Sequence, residues 1–305
     1  MYAEVRGESG DIRITAISTG TANCHKLQEA GRDGASPMRR KLDIMRDREW
    51  TGPKPIYTFL IEHPEGLFLV DTGDNHHNSE QKGYLPWWNP FFQKAVQIKV
   101  APEEEIGPQL TRLGVNPGRD LKAVLMTHLH HDHTGGLGHF PHTPIMVADE
   151  NVKAAKSKGS LAGALKSSFP RWFDPTPIEF TGESIGQFTR SAPITKDGSI
   201  VAVEIPGHME GQVAYLVRAG DVTYVLAGDL TYTQEFLLAD VVDGVTADPD
   251  LSLASQRKVK ALAAEEPIVL LPAHDPGIER RLPANEVVPS AVSSEPATVG
   301  APGKE

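Results

Sequence analysis

The stretch THLHHDHTGG, Thr127–Gly136, puts four histidines and one aspartate into residues 128–133. It follows directly on LKAVLM (121–126), which reads as a buried strand. On an extended backbone residues two apart share a side, so His128 and His130 point the same way. Asp132 and His133 come after the turn. Gly135 and Gly136 then permit close backbone approach and a helix start. Two donors on each side of a turn make a clasp for two adjacent cations. His131, at a variable position inside the run, is expected to be exposed rather than a ligand.

Four donors do not complete two coordination spheres. The chain offers three more, each closing a predicted strand: His208 after EIPG, Asp229 after YVLAG and His274 after VLLPA. Strands that end together in ligand-type residues suit a site on one rim of a sheet sandwich, where rigid strands hold catalytic loops. Cys24 is the single cysteine, which rules out an intramolecular disulfide and a thiolate cluster. Any metal is therefore held by His and carboxylate. His63, His76, His77, His139 and His142 read as surface residues, and His25 carries no assignment.

The remaining chain supplies a scaffold. DIRITAIST (11–19) alternates like a strand, and IYTFLIEHPEGLFLVDTG (56–73) reads as a hairpin turning at Gly66. PEEEIGPQLTRLG is a helix by its apolar spacing, as are ENVKAAKSKGSLAGALKS and LSLASQRKVKALAAE. SIVAVEIPGH (199–208), the hairpin QVAYLVRAGDVTYVLAGD (212–229) and PIVLLPAHDP (267–276) complete the strands. Residues 20–55 read as a long loop excursion. Within it, residues 26–48 carry seven Lys or Arg against four Asp or Glu, a solvated and mobile face. Strands and helices alternate in blocks, which suits two packed sheets with helices outside. The expected organisation is one domain over 1–282 and a disordered tail, rich in Pro, Ala and Ser, over 283–305.

Composition narrows the partners. Of 305 residues, 39% are hydrophobic and 23% charged, a soluble balance. The net charge of -10 makes nucleic acid a poor partner. No apolar run suggests a membrane span and no apolar leader follows the N-terminus, so the chain reads as cytoplasmic.

With these residues assembled, the chain resembles the metallo-β-lactamase superfamily over about residues 11–282. The motif His-X-His-X-Asp-His stands as His128, His130, Asp132 and His133, with His208, Asp229 and His274 following in order and DTG at 71–73. The resemblance implies an α+β fold, an αββα sandwich of two packed mixed β-sheets with helices on the outer faces. It implies one divalent ion on His128, His130 and His208, a second on Asp132, His133 and His274, and Asp229 between them. Zinc suits these donors, as do iron, cobalt and manganese. Two ions about 3.5–4 Å apart would activate a bridging hydroxide for hydrolysis. Asp132 would orient that nucleophile and shuttle a proton. Asp71 would orient the ligand loops from behind.

Within the superfamily the chain is similar to the N-acyl-homoserine lactonase group. YTFLIEHPEGLFLVDTG, PGHMEGQVAYLV and LLPAHDP carry that likeness, and GDLTYTQEF places Tyr232 three residues after Asp229 as in those enzymes. Tyr232 would donate to the lactone carbonyl or its developing oxyanion, although an ordinary structural tyrosine fits the same position. Lactamase subclasses with a downstream cysteine ligand are excluded by the position of Cys24. Flavodiiron-type reductases carry Glu where His130 stands, glyoxalase II adds a C-terminal helical domain, and ribonuclease Z-like enzymes need a basic arm. The substrate expected is thus a small lactone or ester. Another hydrolase of the fold, acting on esters, phosphoesters or organophosphates, is the alternative, followed by a non-catalytic metal-binding module. In WWNPFF, Trp87, Trp88, Phe91 and Phe92 fit equally an acyl-chain wall, a homodimer contact or core packing. Met38, Met45, Trp50, Phe169, Trp172 and Phe173 are weaker candidates of the same kind.

Overall fold

The computed structural model describes residues 4–9, 11–80, 84–86 and 88–289 and contains two mixed β-sheets. The first comprises β1 (Glu4–Ser9), β2 (Ile12–Cys24), β3 (Lys54–His63), β4 (Gly66–Val70), β5 (Val96–Lys99), β6 (Leu121–Leu125), β7 (Ile145–Val147) and β8 (Thr176–Pro177). Its order is β1-β2-β3-β4-β6-β7-β8, with β5 paired to the far end of β2. The second comprises β9 (Ser191–Pro193), β10 (Ile200–Glu204), β11 (Val213–Ala219), β12 (Val222–Gly228) and β13 (Ile268–Pro272), in the order β13-β12-β11-β10-β9. Parallel pairs run from β4 through β8 and between β12 and β13, and the other pairs are antiparallel.

Alternation along the strands separates three apolar layers. Phe59, Ile61, Phe68, Val70 and Leu125 of the first sheet meet Tyr215, Val217, Tyr224, Leu226 and Leu271 of the second in the central layer. The intervening residues Leu60, Leu69 and Val124 point the other way, onto Ile106, Leu110, Leu137 and Phe140. On the outer face of the second sheet, Leu216, Val225 and Leu270 pack on Val259 and Leu262 of the helix Pro249–Glu265. This order of layers is the αββα sandwich. Each such side chain contributes roughly 1.5–3 kcal/mol by leaving water.

The two sheets are joined along one rim. Val213 N donates to Thr127 O at 3.0 Å, Tyr215 Oη to Met126 O at 2.9 Å, and Tyr57 N to Ala273 O at 2.9 Å. These bonds lock the ends of β6, β11 and β13 at a common level.

Residues 20–55 are more than a loop. β2 runs on to Cys24, and helices span Lys26–Glu29 and Pro37–Arg46. Arg40 and Asp43 are buried, so this segment is packed rather than a solvated, mobile face. The helix expected from Glu150 to Ser167 ends at Lys158, where Gly159 takes positive φ, and short 3-10 turns follow. At the C-terminal side, the helix Ile278–Ala284 passes residue 282, and Val288 N donates to Ile268 O at 2.8 Å. Ordered packing therefore continues beyond the expected boundary, and the rest of the expected tail, residues 290–305, lies outside the described residues. No helix among the described residues is long and apolar enough to cross a membrane.

Candidate metal centre

All seven predicted donors converge on that rim. Beyond β6 the chain bends at Thr127 and reaches His130, an extended residue at the N-cap of the four-residue helix His131–Thr134. Asp229 directly follows β12, His274 lies just past β13, and His208 lies in the turn after β10. They form two sets, His128, His130, His208 and Asp229, and Asp132, His133, Asp229 and His274. Within each set the donor atoms lie within 4.8 Å of one another, and Asp229 belongs to both. The two glycines of the opening stretch let the clasp seat closely. Gly135 N donates to Gly73 O at 2.8 Å, and a Cβ there would lie 2.7 Å from Asp74 Cα.

The spacing of the donors fits cations. His130 Nδ1 is 3.0 Å from His208 Nε2, which is 3.5 Å from Asp229 Oδ2. Asp229 Oδ1 is 3.2 Å from His133 Nε2 and 3.4 Å from His274 Nε2, which is 3.4 Å from Asp132 Oδ2. Ligands about 2.0–2.1 Å from a tetrahedral ion stand about 3.3 Å apart. His128 Nε2, His133 Nε2 and Asp229 Oδ1 are buried and make no aligned hydrogen bond. Buried polar atoms without partners are rare in native proteins, and two bound divalent cations would satisfy these.

Electrostatics points the same way. Burial, then the charge of His208, pushes His130 down to about 3. Burial also raises Asp229, but the charges of His274 and His133 outweigh it and hold the carboxyl well below its usual range. In return, burial disfavours the charged His133, yet Asp229 and Asp71 raise it well above an ordinary histidine. Without cations, imidazole protons balance the buried carboxylates. Divalent ions would take over that balance and release the protons.

The second ring nitrogens are fixed from behind, leaving the first free to ligate. His133 Nδ1 is 2.8 Å from Asp71 Oδ2, and His274 Nδ1 is 3.0 Å from Pro55 O. Asp71 also accepts from Thr127 N at 2.8 Å and Thr127 Oγ1 at 2.7 Å, and His128 Nδ1 lies 3.0 Å from that hydroxyl. Asp71 does this from a left-handed backbone, φ 61°, a conformation that side chains other than glycine rarely adopt. His208 Nδ1 meets Asp243 Oδ2 at 3.0 Å. Asp243 was absent from the sequence reading. Its one local signal is the turn DGVT, in which Oδ1 accepts from Val245 N and Thr246 N.

A cavity of about 540 Å³ opens above the donors. Tyr232 lines it and stacks on the His274 ring, with centroids 5.5 Å apart. Its walls are apolar: Met38, Leu42 and Met45 from the helix Pro37–Arg46, Phe91 and Phe92 from the helix Pro90–Lys94, and Leu161. The aromatic stretch thus divides. Trp88 is 56% exposed and belongs to a neighbouring hollow with Phe169 and Phe173, and Trp87 lies outside the described residues. Trp50 packs on His25 at 4.1 Å between ring centroids, away from the cavity, and Trp172 is exposed.

Several histidines differ from expectation. His131 is buried, its Nδ1 3.2 Å from Asp74 Oδ2, and Phe92 packs edge-on against its ring. The helical turn directs it inward, onto Asp74 and Phe92. His63 is buried against Ser199 Oγ at 2.7 Å. His76 and His139 both bind Glu105, whereas His77 and His142 are exposed.

Residues 51–274 match the family model of the metallo-beta-lactamase superfamily. The chain belongs to that superfamily, and its fold and donor sets are those of a metal-dependent hydrolase. An N-acyl homoserine lactonase of Bacillus thuringiensis is 28% identical over 228 residues, covering 72% of this chain and 81% of its own. The N-acyl homoserine lactonase AttM of Azorhizobium caulinodans is 26% identical over 279 residues, covering 87% and 94%. A solved N-acyl homoserine lactone hydrolase, with the product N-hexanoyl-L-homoserine at its catalytic metal centre, shares the fold at TM-score 0.71 and 22% identity, over 92% of this chain and 100% of that one.

Proposed function

We propose that the protein is a dinuclear-metal lactonase that opens the ring of N-acyl-homoserine lactones. The observation that carries this reading is a pair of donor sets sharing Asp229 at the floor of a deep, apolar-walled cavity. The lactonases that align along most of the chain support the choice of substrate. His128, His130 and His208 would hold one divalent ion, Asp132, His133 and His274 the other, and Asp229 both. When bound, the two ions supply an activated water and polarise the substrate carbonyl.

The chain's own groups then act in order. Tyr232, held by its stacking on His274, donates its hydroxyl proton as a hydrogen bond to the lactone carbonyl oxygen. Water oxygen adds to the carbonyl carbon, and Asp132, which lines the cavity, accepts its proton. The ring C–O bond breaks, and Asp132 returns a proton to the departing oxygen, which leaves as a hydroxyl. The water's second proton is released to solvent from the new carboxyl group, so the products are one carboxylate and one alcohol on the same molecule. Phe91, Phe92, Met38, Leu42 and Met45 would receive the acyl chain.

Proton release on addition of N-hexanoyl- and N-decanoyl-homoserine lactone, simple esters and phosphotriesters tests the assignment. Both lactones should turn over, and Tyr232→Phe should lower kcat about 10- to 100-fold with little change in KM. Turnover of esters or phosphotriesters without lactones would instead make the protein another hydrolase of this fold. Metal analysis of protein purified without added metal separates zinc from iron, cobalt and manganese.

A further inference from the structure

One polar side chain in the cavity takes no part in the steps above. Gln28, in the short helix Lys26–Glu29, is 6% exposed and lines the cavity with Asp229, Tyr232 and His274. Its backbone is anchored on both sides: Gln28 N donates to His25 O at 2.9 Å, and Gln28 O accepts from Gly244 N at 2.7 Å. Its side-chain Oε1 is buried and has no hydrogen-bond partner. Such an acceptor is costly to leave unmade. The same carboxamide stands beside the Tyr232 side chain on the cavity wall.

The substrate geometry matches this pair. In an N-acyl-homoserine lactone the amide nitrogen is bonded to the ring carbon next to the lactone carbonyl. A carbonyl that meets Tyr232 therefore brings the substrate's one N–H close to Gln28, which lines the cavity beside Tyr232. We infer that Gln28 Oε1 accepts the substrate amide N–H, so that Gln28 selects N-acylated lactones over lactones without that donor. The assignment rests on the lactonase reading above.

The test compares N-hexanoyl-homoserine lactone with the analogue whose amide NH is replaced by an ester oxygen, following ring opening by product mass. The wild-type protein should favour the amide about tenfold in kcat/KM, the worth of one hydrogen bond. Gln28→Leu and Gln28→Met, each with normal metal content, should bring the ratio to about one by raising KM for the amide alone. Gln28→Glu, which keeps an acceptor, should keep the preference. Calorimetric binding of the ring-opened N-hexanoyl-homoserine should weaken by a similar factor in the Leu and Met variants. A preference that survives both variants, or equal losses on the two substrates, overturns the assignment. If the wild-type protein opens neither lactone, the lactonase reading itself has failed and the assignment falls with it.

Discussion

At the scale of single residues, the imidazoles of His128, His133, His208 and His274 are each set by what holds the second nitrogen. Asp243 is the clearest case, because its buried carboxylate accepts from two backbone N–H groups and the Thr246 hydroxyl while meeting His208. Asp243→Ala should leave the fold intact and weaken metal affinity about 10- to 100-fold, measured by competition with a chromophoric chelator. Unchanged affinity would show that His208 needs no such support. The seven donors were readable in the sequence because His208, Asp229 and His274 each close an apolar run and the other four form one motif directly after LKAVLM, and both signals are local. Asp243 and Gln28 were not readable. Asp243 lies 35 residues from His208 in sequence, and the pairing exists only once the second sheet has placed them together. Gln28 has no periodic signal, and its meaning comes from an unpaired oxygen that only coordinates reveal. His131 failed in the opposite direction. The motif marks it as variable, but the turn of the His131–Thr134 helix carries it inward to Asp74.

At the scale of elements, the helix Pro37–Arg46 changes the reading of the N-terminal excursion. Ser36 Oγ caps it by accepting from Arg39 N, and Pro37 starts it. Pro37, Met38, Lys41, Leu42 and Met45 line the cavity at helical spacing, but the surrounding arginines and glycines hide that stripe in a composition-based reading. Arg40 fastens the helix to the segment carrying Asp243, donating to Ala35 O at 3.1 Å, Val242 O at 3.1 Å and Asp243 O at 2.9 Å. Arg40→Met would strand these carbonyls and should destabilise the protein by about 2–3 kcal/mol in urea unfolding. It should also raise KM more for N-decanoyl- than for N-hexanoyl-homoserine lactone, because the long chain needs the wall. Equal KM values would detach the helix from substrate binding. The aromatic stretch 87–92 divides for a related reason. The helix Pro90–Lys94 turns Phe91 and Phe92 to the cavity, whereas Trp88 precedes it.

At the scale of the whole molecule, the sandwich was legible from strand alternation, and its rim from donors placed at strand ends. Beside that rim, Glu105 ties the helix His76–Glu80 to the turn Leu137–His139 through His76 and His139. Burial raises the Glu105 carboxyl, but hydrogen bonds from His139 and His76 outweigh it and bring it from 4.5 to about 2. The folded state thus holds the carboxylate ionised where the unfolded chain would protonate it. Its contribution is complete above pH 4.5 and is lost as pH falls towards 2. Glu105→Gln should therefore flatten the loss of stability across that window, in urea midpoints of metal-free protein. Parallel curves for the two proteins would rule out this contribution. The two sheets and their connecting bonds have a shared consequence, which is that both donor sets and the cavity meet at a single rim. Reconstitution of metal-free protein, with N-hexanoyl-homoserine lactone ring opening followed against bound metal, tests this most directly. Full turnover is expected at two ions per chain, with loss of both metal and turnover in Asp229→Ala. A protein carrying two ions per chain that leaves the lactone closed would contradict it.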